Sequence, residues 1–157
     1  PTPEAQCLGT QTFSYAFMPC DESRWQEGTH RRVAYEHNQP LCVDRLLSHG
    51  QKGALPQAYS FLRLPEELIL TSCKRGEDRE HSVFVRFWNP LDSTVTGNIV
   101  PGFQIRAAYS TDLEEQRQNE MPISRQGAVN IETGPKHIMT VELVPEDAEV
   151  EKLFSVS

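Results

Sequence analysis

The sequence predicts a mainly β protein: an antiparallel β-sandwich with one helix toward the N-terminal side, over about residues 21–36. Three observations predict it. From residue 59 onward, short runs rich in Val, Ile, Phe and Tyr recur roughly every ten residues. Gly, Pro and Asn-Pro turns separate them, the spacing of a sandwich. Within the runs apolar and polar residues alternate, the period of a half-buried strand.

The elements follow in order. Thr10–Phe17 (TQTFSYAF) alternates, with Phe13, Tyr15 and Phe17 on one face and Thr12, Ser14 and Ala16 on the other. It is predicted as a strand, stopped by Pro19. Asp21 is a helix N-cap by type, with Glu22 in the first turn, where the helix dipole favours an acid. A helix of about four turns follows, with Trp25, Thr29 and Val33 on one face. Gly28 weakens it by about 1 kcal/mol, and Asn38 and Pro40 end it. Asp44 to Gln57 is polar and Gly-containing, a surface loop.

Strands are then expected over Tyr59–Leu64 and Leu68–Lys74, divided by Pro65. Ser82–Trp88 (SVFVRFW) is the most strand-like run, and its apolar residues on both faces predict a central strand covered on both sides. Thr94–Val100 and Phe103–Tyr109 come next. Leu113–Asn119 is read as a short helical piece or a polar loop. Ala128–Thr133 and His137–Val144 flank Gly134-Pro135, read as a hairpin turn.

The 157 residues suffice for a real core and for one domain, or one small domain plus a piece of another. The net charge of −7 leaves no basic surface to drive counterion release from nucleic acid, nor a polybasic membrane contact. No apolar run approaches the ~20 residues of a spanning helix. The start PTPEAQCLG has neither a basic nor an apolar leader region and is read as a chain whose upstream residues were removed. Cys7, Cys20, Cys42 and Cys73 are irregularly spaced, which favours reduced thiols and a cytoplasmic origin. Cys73, in an apolar run, is expected to pack as a small hydrophobe.

The familiar catalytic patterns do not occur. There is no HExxH, CxxC, GxSxG or Gly-rich phosphate loop. His30, His37, His49, His81 and His137 are read as solvated surface groups. Glu66-Glu67 and Glu114-Glu115 are sequence neighbours that point apart, whereas glycosidase chemistry needs two carboxyls about 5–10 Å apart across a sugar. Trp25 and Trp88 are assigned to packing rather than to sugar stacking. Arg86, inside the strongest strand, is expected to pair with a carboxylate.

The stretches EAQCLGTQTFSYAFMPCDESRW, HNQPL, YSFLRLPEELILTSCKRGEDREHSVFVRFWNP and GPKHIMTVEL, in that order, resemble the C-terminal region of family 38 α-mannosidases. EAQCLGTQTFSYAFMPCDESRW is similar to its strand-to-helix stretch through Gln6, Gly9, Phe13, Tyr15, Ala16, Pro19 and Trp25. HNQPL (His37 to Leu41) resembles its Asn-x-Pro-Leu. YSFLRLPEELILTSCKRGEDREHSVFVRFWNP resembles a strand pair through Ser60, Phe61, Leu70, Lys74, Glu77, Asp78, Arg86, Asn89 and Pro90. GPKHIMTVEL resembles the terminal strand through Ile138 and Thr140. Cys20 departs from the pattern, standing where the family commonly has His.

The resemblance implies a parent that is a retaining exo-acting glycosidase with an aspartate nucleophile and a bound zinc ion, both upstream of this chain. It implies no catalytic or metal residue here. Residues 1–58 would be the end of a larger central β domain and residues 59–157 the C-terminal sandwich. Tyr15, Trp25, Lys74, Arg86 and Trp88 are candidates for inter-domain or structural contacts. The expected partner is the catalytic domain of the same parent, and through it a carbohydrate; an apolar surface near the first strand and the Trp25 helix would let the fragment self-associate. A stand-alone carbohydrate-binding or assembly sandwich is the alternative.

Overall fold

A computed structural model describes residues 8–43, 56–147 and 149. Among these, eight strands form two antiparallel sheets. β1 (Leu62–Arg63), β4 (Val95–Pro101) and β7 (Val129–Thr133) make a three-stranded sheet in the order β1-β4-β7. β2 (Ile69–Arg75), β3 (Val83–Trp88), β5 (Ile105–Thr111), β6 (Arg117–Glu120) and β8 (Ile138–Pro145) make the other, in the order β2-β3-β8-β5-β6.

Alternation builds the core between the sheets. Val83, Val85 and Phe87 of β3 meet Val141 and Leu143 of β8 and Ala108 of β5; Val95 and Ile99 of β4 and Val129 and Ile131 of β7 belong to the same cluster. Each such side chain, fully buried, is worth about 1.5–3 kcal/mol. β3 lies inside its sheet, and Phe84 on its opposite face is buried as well, so the expectation of a strand covered on both sides holds. β7 shows the cleanest alternation, with Val129, Ile131 and Thr133 buried and Asn130 and Glu132 exposed.

Two helices, α1 (Glu22–Gln26) and α2 (Thr29–Asn38), replace the single predicted one. The break falls at Gly28, whose φ of +77° is left-handed and caps one helix off from the next. Asp21 is the predicted N-cap: its carboxylate accepts from the Arg24 N–H at 2.9 Å and the Ser23 hydroxyl at 2.8 Å, which hold it below the ordinary aspartate range. α2 ends at Asn38, as the sequence predicts. Neither helix buries a residue completely.

Four further expectations are corrected. Thr10–Phe17 is not a strand: among the described residues no sheet edge takes its backbone hydrogen bonds, and Phe13, Tyr15 and Phe17 are 82%, 79% and 89% exposed. The Tyr59–Leu64 strand shrinks to the two residues of β1. Leu113–Asn119 holds a tight turn and the start of β6. Gly134-Pro135 is not a hairpin turn, because β7 pairs with β4 while β8 pairs with β3 and β5; the chain crosses there from one sheet to the other. Residues 44–55 of the predicted loop lie outside the described residues.

Candidate functional site

Charged and polar side chains gather on the outer face of the five-stranded sheet. Cross-strand register sets them in rows. One row runs Lys74 (β2), Phe84 (β3), Glu142 (β8), Tyr109 (β5); the next runs Ser72, Arg86, Thr140, Thr111, Arg117.

Glu142 is the centre. It is fully buried, the one charged residue of β8, whose other residues are apolar except Thr140. Arg117 donates to both of its oxygens, Nε to Oε2 at 2.7 Å and Nη2 to Oε1 at 2.8 Å. The Ser82 hydroxyl donates to Oε1 at 2.7 Å, and Arg79 Nη1 stands 3.8 Å from Oε2. Burial is the largest single influence on this carboxyl and pushes it up. The hydrogen bonds from Arg117 and Ser82 and the charges of Arg117 and Arg79 together outweigh it, so Glu142 sits below the ordinary glutamate range. Arg117 is pushed up in turn by its bond to Glu142, and its guanidinium lies 3.9 Å over the Tyr109 ring. A carboxylate sealed and held ionised in this way is structural, since no sugar can reach it to take or give a proton.

Beside this cluster the Asp112–Gln116 turn folds back on the sheet. Asp112 Oδ1 accepts from the Glu114 and Gln116 N–H groups at 3.0 and 2.9 Å. Glu115 adopts a left-handed φ of 65°. Its carbonyl accepts from Arg79 at 2.8 Å and its carboxylate meets Lys74 Nζ at 2.6 Å.

Three of the five candidate residues, Lys74, Arg86 and Trp88, are brought together on the β2–β3 part of this sheet. Arg86 differs from expectation. Its partners are the Thr140 hydroxyl at 2.9 Å and the Leu113 carbonyl at 3.0 Å, because the carboxylate of that face, Glu142, lies one row away in the grip of Arg117. Trp88 is half-buried, between Ile69 and Ile138 in the register. Tyr15 and Trp25 lie apart from them, in the N-terminal segment. Tyr15 is exposed and makes an edge-on contact with Phe17 at 5.7 Å. Trp25 is 55% exposed rather than on a buried helix face, and stacks on His30 at 4.0 Å.

That stack also corrects the reading of His30 as a solvated group: its Nδ1 is buried and has no hydrogen-bond partner. Cys73 does not pack as a core residue. It stands opposite Val85 but on an edge strand, and its side chain is exposed, with partial desolvation pushing the thiol up. Sequence reasoning missed Glu142 and Arg117. The signal was a lone acid in the apolar run HIMTVELVP, which a buried position can hold only if cations reach it. Among the described residues no three His, Cys, Asp or Glu side chains converge where a metal ion could sit, so none is assigned to zinc.

Comparison with known proteins bears on the sandwich. The glycosyl hydrolases family 38 C-terminal beta sandwich domain matches residues 67–141, from just before β2 into β8. No curated protein matches the chain. A solved structure from Bacillus halodurans, described as an α-N-acetylgalactosaminidase, is similar with a TM-score of 0.36 and 14% identity, over 54% of this chain. The match spans only 19% of that longer chain. The part of this chain that is similar to a known family is thus the sandwich, over residues 67–141, and the similarity is to the glycosyl hydrolases family 38 C-terminal beta sandwich domain.

Proposed function

We propose that this chain is the C-terminal portion of a family 38 α-mannosidase, and that it supports the catalytic domain and shapes the rim of its site. The observation that carries the proposal is the match of the sandwich domain over residues 67–141. The chemistry of the outer face agrees with support: its cations are spent on a buried carboxylate and on the backbone of a turn. The aspartate nucleophile and the zinc ion belong to residues outside this chain, and the isolated chain is inactive.

The N-terminal segment fits a place in a larger central β domain. It has the sequence pattern of a strand, yet its aromatic residues lie exposed and its helices contribute nothing to the core cluster. The partner for that surface is the rest of the parent chain; when cut from it, the segment promotes self-association. Cys20, Cys42 and Cys73 are free, which agrees with a cytoplasmic enzyme. No helix among the described residues is long and apolar enough to cross a membrane.

Calorimetric titration of the purified chain with mannose and mannobiose tests the supporting role against a carbohydrate-binding one. No saturable heat is expected. Saturable binding that disappears in Trp88→Ala or Trp25→Ala would overturn the supporting role.

A further inference from the structure

We infer that β6 and the turn that leads into it form an acid-released flap, latched to the sandwich by the contact of Arg117 with Glu142. This goes beyond a supporting role and does not depend on the parent enzyme.

Strand β6 is weakly attached. It is an edge strand of four residues, all exposed, and it pairs only with β5. A register shift between Ser110 and Thr111 interrupts that ladder. Its strongest hold on the interior is the two-pronged bond from Arg117 to Glu142. The charge arrangement turns this latch into a spring. Arg117 and Arg79 converge on the same oxygen, Oε2, at 2.7 and 3.8 Å. While Glu142 is ionised it holds both cations. Once it takes a proton, two guanidinium groups face each other across a neutral, buried carboxyl, and Arg117, the one on the loose edge strand, swings out toward water.

The groups that face Glu142 fix the direction of the effect. Tyr109 and Phe84 flank it on β5 and β3, Ser82 donates to it, and Arg86 and Lys74 are the further cations of the face. Glu115 neutralises Lys74. Asp112, Glu114 and Glu120 are the other carboxylates of the hairpin. None of them reaches Arg117 among the hydrogen bonds and ion pairs found between described residues. Glu142 is therefore the carboxylate that holds Arg117 of β6, while the turn before β6 is tied separately, by Lys74 to the Glu115 carboxylate and by Arg79 and Arg86 to the Glu115 and Leu113 carbonyls. Release exposes Tyr109 and the Phe84 face while β3 and β8, paired with each other along their length, stay in place.

Amide hydrogen exchange, expressed as protection after correction for intrinsic rates, tests this on the whole chain. On stepwise acidification from pH 7 to well below the ordinary glutamate value of 4.5, protection over residues 112–120 should fall about tenfold or more while that of β3 and β8 is kept. Glu142→Gln should show the same local loss already at pH 7, with a smaller further acid response than the wild type. Arg117→Met, which removes the latch and the repulsion together, should give a turn and β6 already loosened at pH 7 and less sensitive to pH than in the wild type, and it serves if Glu142→Gln does not fold. Loss of protection in all strands at once, or an unchanged hairpin in either variant, would overturn the flap.

Discussion

The side-chain amide of Asn89, at the end of β3, donates to the carbonyl of Thr133, at the end of β7, at 3.0 Å. Asn89 directly follows β3 of one sheet and Thr133 ends β7 of the other, so this bond clips the sandwich together at one end. The same amide nitrogen also meets the carbonyls of Ser93 and Gly134 at 2.8 Å, and its oxygen accepts from the Leu91 N–H at 3.0 Å. Asn89 is fully buried, so no water replaces these partners. Asn89→Ala should lower the unfolding free energy by about 3 kcal/mol, since each buried polar group left unpaired costs about 1–3 kcal/mol. Asn89→Asp should cost at least as much, because it points an acceptor at carbonyls. Urea denaturation at neutral pH measures both.

Glu142 gives stability a defined acid limb. Its folded carboxyl lies below the ordinary glutamate value of 4.5, so its contribution is fully present above that value and is lost as pH falls through the lower, folded one. Unfolding free energies measured across that range should decline in the wild type. Glu142→Gln should start lower, by about 3 kcal/mol at pH 7, and show a flatter acid limb. Parallel limbs in the two proteins would show that other groups govern the acid response.

Gly97 in β4 is required for close packing. A Cβ there would stand 2.5 Å from Cγ of Pro65, in the segment between β1 and β2. Gly97→Ala should destabilise the chain by about 1–3 kcal/mol, the usual cost of overpacking. Pro65→Ala in the same chain should recover part of that loss, and thermal unfolding of the single and double variants measures the coupling.

The aromatic residues of the N-terminal segment should not matter to the sandwich. Replacing Phe13, Tyr15 and Phe17 together with Ser should change unfolding free energy by less than about 0.5 kcal/mol. Phe87→Ala, in the core, should cost about 3–5 kcal/mol.

The contrast between these residues also shows what was legible in the sequence. Phe87 and Phe13 both sit in alternating runs, and periodicity reports only that a run could be a strand. Val83–Trp88 became one because β2 and β8 flank it; Thr10–Phe17 has no such neighbour among the described residues. The Gly134-Pro135 turn was visible, but not that its strands lie in different sheets, which depends on the distant Asn89. Lys74 and Arg86 were legible as residues of interest through the family resemblance. Their partners were not, because the Leu113 carbonyl and the Glu115 carboxylate reach them only through the fold of the β5–β6 turn. Glu142 stayed hidden because its three partners come from positions 79, 82 and 117, and the bidentate arrangement of Arg117 exists only once β6 lies beside β5.

The central claim is that this chain supports a glycosidase without carrying its chemistry. Hydrolysis of an aryl α-mannoside, assayed with zinc present, tests it most directly when the purified chain is set beside the complete product of its gene. The account predicts no turnover by the chain and zinc-dependent release of mannose by the complete protein. Turnover by the chain itself, or none by a folded complete protein, would contradict it.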